Sequence, residues 1–189
     1  MPISIAHQPT NFFNCREQLP SIEDSLWFIT SGVVKSYTIE EYDVITTLGF
    51  WGVQDVVSQC LSNIEPYFLE CLTDVEAIAI PQPQWSEVSS AIIHHGQQTQ
   101  QFIYMMRASR VHKRLWLLLQ WLGNKFGQKS ETGRLINFRL THQELANTLG
   151  TTRITVTKIL SRFEREGLIF RPNKKSIVVN NINLETDLD

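Results

Sequence analysis

From Thr141 to Asn180 the chain reads THQELANTLGTTRITVTKILSRFEREGLIFRPNKKSIVVN, and few folds accept that run. Thr141 followed three residues later by Glu144 is a capping box, in which each side chain satisfies a backbone amide that the first turn of a helix leaves unpaired. Leu145, Ala146 and Leu149 give that helix an inner face, and Gly150 ends it. Thr152 caps a second helix whose Val156, Ile159, Leu160 and Phe163 point inward, with Gly167 as its stop. Two short helices joined by a glycine turn make a helix-turn-helix. After them, LIFRPNKKSIVVNN reads as two strands around a Pro-Asn-Lys-Lys turn, which adds a wing.

Once the inner face is assigned, the outer face of the second helix holds Arg153, Ile154, Thr157, Lys158, Ser161, Arg162 and Arg165. Arginine can grip a guanine edge with two hydrogen bonds, isoleucine and threonine can touch a thymine methyl, and lysine, arginine or threonine can bind phosphate. Residues 139 to 175 carry eight basic and three acidic side chains, a balance of +5 that a merely solvated face would mix more evenly. The face therefore points to DNA. Thr141, His142 and Thr152 at the helix starts and Lys174 and Lys175 in the wing stand beside it, His142 facing solvent or phosphate. A winged helix also serves as a protein contact, and that alternative stays open here.

The whole chain repeats the asymmetry. Residues 1 to 100 hold two basic and twelve acidic side chains, a balance of −10, whereas residues 101 to 175 hold fifteen basic and four acidic, a balance of +11. An acidic front and a basic back imply two jobs, with the basic half facing a polyanion.

From about Ser25 to Pro81 the runs SLWFITSGVVKSYTI, DVITTLGFW and YFLECLTDVEAIAI are short, β-branched and aromatic, which predicts an antiparallel barrel or roll with one short helix at Val53 to Leu61. Past Pro81 and Pro83 the period becomes helical. Tyr104, Ala108, Val111, Leu115, Leu118 and Leu122 recur at four, three, four, three and four residues, the heptad spacing of a helix with a partner, which is either its own domain, as in a long core helix, or a second subunit. This predicts a β-roll over residues 1–96, a long dimerisation helix over 97–126 and a winged helix over 127–189, with GNKFGQKSETG as a loop between the last two.

Other classes are excluded or disfavoured by what is missing. No run of about 18 apolar residues and no secretory leader pattern is present, so a cytoplasmic protein without a membrane span is expected. Cys15, Cys60 and Cys71 are odd in number and widely spaced, which fits buried small hydrophobes better than a disulfide framework or a metal pair. A cupin-like metal oxygenase needs two or three histidines and a carboxylate aimed into its barrel, but His7 is the only histidine between Ile3 and Pro81. No paired carboxylates, Ser-His-Asp set or glycine-rich phosphate loop stands out, so no enzyme, metal or cofactor is expected.

The segment LTHQELANTLGTTRITVTKILSRFEREGLI with KKSIVV resembles the C-terminal winged helix of the Crp/Fnr family of bacterial transcription regulators. DSLWFITSGVVKSY is similar to a strand pair in that family's roll. The resemblance implies an α+β chain with an N-terminal antiparallel β-roll of the cyclic-nucleotide-binding kind, a long dimerisation helix and a C-terminal winged helix-turn-helix. Its implied partners are double-stranded DNA, a second copy of the chain and RNA polymerase. Within the family, TRITVTK looks most like the branch containing the cyanobacterial global nitrogen regulators, which implies GTA and TAC half-sites. By position, Arg153 would contact the guanine, Ile154 and Thr157 would line the groove, and Lys158 would hold phosphate or a base.

The departures from the family carry information too. Where cyclic-nucleotide-binding members have Gly-Glu and an Arg-Ser pair, this chain has Gly52-Val53 and Glu65-Pro66, and a glutamate opposes a phosphate rather than clamping it. No response to cyclic AMP is expected. Iron-sulfur members need a cysteine cluster that this chain does not match. The effector is not named by these residues.

Overall fold

The computed structural model describes residues 8–173 and 175–180, and the chain divides into two units, Met1–Phe102 and Ile103–Asp189. The first unit is built from β1 (Thr10–Phe13), β2 (Ser25–Ser31), β3 (Val34–Ile39), β4 (Ile45–Trp51), β5 (Val56–Val57), β6 (Phe68–Cys71) and β7 (Val75–Pro81), followed by most of α1 (Ser89–Met106), whose last four residues belong to the second unit. Its strands pair antiparallel in two sheets, ordered β1-β7-β2-β5 and β4-β3-β6.

Strands β2 and β7 read as nearly continuous apolar runs because both of their faces are covered. Trp27 and Ile29 join Val75 and Ala77 in one core with Val34, Trp51 and Leu69 of the other sheet, while Leu26 joins Ile78 and Ile80 in a second core with Val88 and Ala91. Period-two alternation thus sorts one strand pair into two cores, one inside the roll and one against the start of α1. Gly32 turns β2 into β3 with φ +92°, and a Cβ there would lie 2.2 Å from the Asp74 carbonyl oxygen. Only glycine fits that turn without strain.

The roll and α1 are tied by polar contacts. Asp55, 3% exposed, accepts a 2.7 Å hydrogen bond from the Gly52 amide and another from the Gln98 side chain on α1. His95, also on α1, stacks on Trp51 with ring centroids 4.0 Å apart.

Two expectations about this half need correction. The segment from Val53 to Leu61 is strand β5 followed by a single 3₁₀ turn, Gln59–Leu61, since Val56 and Val57 pair with Phe28 and Trp27 rather than coiling. Cys15 and Cys60 are exposed, and only Cys71 is a buried small hydrophobe. Burial first, then the nearby Glu17, Cys15, Glu70 and Asp74, pushes the Cys71 thiol up to about 12.

The single helix expected over 97–126 is two. α1 ends at Met106, Arg110 is extended at φ −106° and ψ 136°, and α2 runs Val111–Phe126. Arg107, Arg110 and Arg114 fall on successive turns there and Lys113 adds a fourth cation, a repulsion that adds only a few tenths of a kcal/mol per pair against a continuous helix. The heptad row is cut with it. Tyr104 is 77% exposed near the end of α1, Ala108 lies in the break, and Val111 opens α2. Leu115, Leu118 and Leu122 are each 0% exposed in the core of the second unit, so the chain itself already buries half of the residues expected to face a partner.

That second unit continues with β8 (Gln128–Lys129), β9 (Gly133–Ile136), α3 (His142–Leu149), α4 (Arg153–Arg165), β10 (Ile169–Asn173) and β11 (Ser176–Asn180), its sheet ordered β10-β11-β9-β8. The segment expected as a loop between helix and winged helix therefore holds the β8–β9 hairpin, held by Ser130, whose amide donates to the Gly133 carbonyl over 2.9 Å. Trp116 of α2 meets Phe163 of α4 edge to face at 5.7 Å, which joins the helix-turn-helix to the helix before it.

Candidate nucleic-acid interface

The helix-turn-helix forms as its caps dictate. The Thr141 hydroxyl accepts from the Glu144 amide at 3.1 Å while the Glu144 carboxylate accepts from the Thr141 amide at 2.7 Å. Leu145, Ala146 and Leu149 are buried, and Gly150 closes α3 in the left-handed region at φ 61°. The Thr152 hydroxyl then accepts from the Thr155 amide at 3.2 Å, which starts α4. Val156, Leu160 and Phe163 turn inward, leaving Ile159 half-buried.

What remains outside is the face read from the sequence. Arg153, Thr157, Lys158, Ser161, Arg162 and Arg165 are exposed, and so is Ile154 at 69%. An isoleucine so placed is able to make apolar contact with a thymine methyl. Arg162 is paired with Glu166 at 2.6 Å, one turn on, which aims its guanidinium along the helix rather than outward. Lys175 is exposed in the wing turn, where its amide donates to the Asn173 side chain at 2.7 Å. Lys174 lies outside the described residues.

Thr141 and Thr152 sit at the helix starts, where each hydroxyl accepts from the amide three residues on. His142 is not simply facing solvent. Its Nδ1 is 2.7 Å from the Thr157 hydroxyl and its Nε2 is 3.0 Å from an Arg171 nitrogen. Burial first, then Arg171 and Arg153, hold its imidazole below the ordinary histidine range. Arg171 in turn grips Glu164 with two nitrogens, and that bond holds the Glu164 carboxyl below the ordinary carboxylate range.

Arg171 and Glu164 were missed by sequence reasoning. A signal existed: Glu164 lies seven residues after Thr157, two turns along the same face, and a lone acid among that row of cations needs a partner. An open groove runs between the helices and the wing, lined by Arg139, Thr141, His142, Arg153, Arg171 and Lys175. Its charged lining is four cations, Arg139, Arg153, Arg171 and Lys175, and one carboxylate, Glu164.

A roll of two antiparallel sheets joined to a winged helix-turn-helix with a cationic outer helix defines a DNA-binding regulator of the winged-helix class. Residues 110–184 match the Crp-like helix-turn-helix domain. The chain is 37% identical over 166 residues to the regulatory protein CysR of Synechococcus elongatus, covering 86% of this chain and 80% of that one. It is 26% identical over 170 residues to the fumarate and nitrate reduction regulatory protein of Escherichia coli, covering 83% of this chain and 68% of that one. Among solved structures, a CRP-family transcriptional regulator from Thermus thermophilus superimposes with a TM-score of 0.76 at 16% identity, over 90% of this chain and 92% of that one. FixK2 from Bradyrhizobium japonicum does so with a TM-score of 0.74 at 13% identity, over 92% and 93%. The chain belongs to the Crp/Fnr family of transcription regulators.

Proposed function

We propose that this regulator binds a near-palindromic DNA site as a homodimer in the cytoplasm, without cyclic AMP, and contacts RNA polymerase from there. The observation that carries the reading is the outer face of α4, where Arg153, Ile154, Thr157 and Lys158 stand exposed on a helix whose Val156, Leu160 and Phe163 are buried. Arg153 reads a guanine, the Ile154 side chain and the Thr157 methyl lie against thymine methyls, and Lys158 holds a phosphate or a base edge. The half-sites are GTA and TAC, one helical turn apart at about 34 Å.

Support for a second copy comes from α1. Its sequence, SSAIIHHGQQTQQFIYMM, contains no acidic and no basic residue apart from two histidines, yet Ile93, Ile103 and Tyr104 are 64%, 55% and 77% exposed. Solvated helices carry charge; depletion of charge with exposed apolar and aromatic side chains marks an interface core. The dimer face is thus moved toward the N-terminal side of the expected heptad row, onto Ile93, Ile103 and Tyr104, with Leu115, Leu118 and Leu122 left to the internal core.

Independence from cyclic AMP is supported by what fills the roll. Ser36 is 0% exposed and accepts from the Trp51 indole at 2.9 Å, and the Tyr67 hydroxyl, which burial pushes up to about 12, also bonds it. With Trp27, Trp51 and Tyr67 gathered in this core and Glu65 exposed at the cassette position, the roll presents aromatic packing and a carboxylate where a nucleotide phosphate would need a cation. Titration calorimetry of the whole protein tests this directly: no heat with cyclic AMP is expected, and micromolar affinity would overturn it.

A further inference from the structure

The start of α3, the outer face of α4 and the first strand of the wing meet at one half-buried side chain. A guanidinium can only donate, so the Arg171 nitrogen 3.0 Å from His142 Nε2 requires a lone pair there. The imidazole is then neutral with its proton on Nδ1, and that N–H donates to the Thr157 hydroxyl at 2.7 Å. The Thr157 hydroxyl donates in turn to the Arg153 carbonyl at 2.9 Å. On the far side, Arg171 is held by both oxygens of Glu164. The relay runs Glu164, Arg171, His142, Thr157, Arg153 carbonyl, with each donor matched to an acceptor.

Two consequences follow for the reading face. The Thr157 hydroxyl donates to the Arg153 carbonyl and accepts from the imidazole, so it has no donor left for a base edge. What it can still offer is its methyl group, which suits thymine, and one remaining lone pair. The wing strand, through Arg171, is also locked to the helix that carries Arg153, so reading and phosphate contacts keep one geometry.

We propose that His142 is a positioning residue for sequence selectivity: its neutral ring locks α4 to the wing through Thr157 and Arg171, and selectivity falls when the ring takes up a proton. Protonation turns Nε2 from acceptor to donor, facing the Arg171 donor, with like charge on both. The charged groups around the ring are Arg171 from β10, Arg153 and Glu164 from α4, and Arg139 and Lys175 on the same groove. Glu164 is the single acid among these, and Arg171 already occupies both of its oxygens. The relay must therefore open, freeing Thr157 to rotate and Arg171 to move, while the added cation strengthens attraction to any phosphate backbone regardless of sequence.

This inference rests on the reading of α4 as the DNA-contacting helix. The test uses the full chain and a duplex selected from random sequence by the protein itself, against a scrambled duplex, by fluorescence anisotropy from about pH 8 down to about pH 5.5, the range in which a histidine charges. The selective-to-scrambled affinity ratio of the natural protein is expected to fall by about tenfold as the ring charges, the size of one lost base contact. H142Q keeps an acceptor for Arg171 but does not titrate, so its ratio stays level; H142A is poorly selective throughout. Nitrogen NMR of the DNA-free protein is expected to show the proton on Nδ1 at neutral pH.

A proton found on Nε2, or identical pH profiles for the natural protein and H142Q, overturns the inference and leaves the DNA reading standing. A protein that prefers no duplex at any pH overturns both.

Discussion

Arg153 is exposed at the first position of α4, where a guanidinium can reach into a major groove, and it has no carboxylate partner in the relay beside it. Arg153→Ala is expected to cost roughly 1 to 3 kcal/mol of specific binding and to relax preference at one base pair, while Lys175→Ala weakens all sequences alike and lowers the salt slope by about one unit. Competition binding with single-base variants of the site separates the two. His142 makes a prediction about stability as well. Its folded-state pKa lies below the unfolded value of 6.5, so the unfolded chain takes up the proton first on acidification. The stabilisation is whole above pH 6.5 and is lost as pH falls through the lowered folded value. Urea melts of the natural protein and H142Q across that window are expected to diverge on the acid side and to run parallel above it.

Caps and turns decide the elements, and here the local chemistry was legible. The Thr141–Glu144 box, the Thr152 cap and the stops at Gly150 and Gly167 were readable because each acts within four residues of itself. Thr152→Ala is expected to cost about 1 kcal/mol, and Gly150→Ala about 1 to 2 kcal/mol, in chemical denaturation. At Gly150 the cost is conformational, since an added Cβ meets nothing within 4 Å but the backbone stays at φ 61°. The break between α1 and α2 was not legible for a physical reason. Tyr104, Ala108 and Val111 keep heptad spacing through Arg107–Arg110, so periodicity runs on where the helix stops. The same spacing hid that Leu115, Leu118 and Leu122 pack inside the second unit, because burial against one's own chain and burial against a partner leave the same pattern. The relay through His142 lay further out of reach: Thr157 and Arg171 become its neighbours only when α3, α4 and the wing have assembled.

Across the molecule the charge is divided by task, with twelve acidic and two basic side chains in the first hundred residues and the cations gathered in the next seventy-five. No helix among the described residues is long and apolar enough to cross a membrane, and none of them form a group of three or more side chains suited to hold a metal. The acidic half repels a DNA backbone and the basic half is drawn to it, so encounter is oriented before any base is read. Pairing two such chains, as proposed, supplies the two copies of α4 that successive grooves need. Ile103→Lys with Tyr104→Lys places cations at a helix end that favours them while removing the apolar contact. Sedimentation is expected to show the shift from dimer to monomer, with near-unchanged helix content. The central claim is that the ligand-free protein reads sequence, and fluorescence anisotropy across a salt series tests it, comparing a duplex carrying GTA and TAC half-sites with a scrambled one. The account predicts a preference of at least about a thousandfold at physiological salt, with scrambled binding that steepens with falling salt. Weak and equal binding to both duplexes would contradict it.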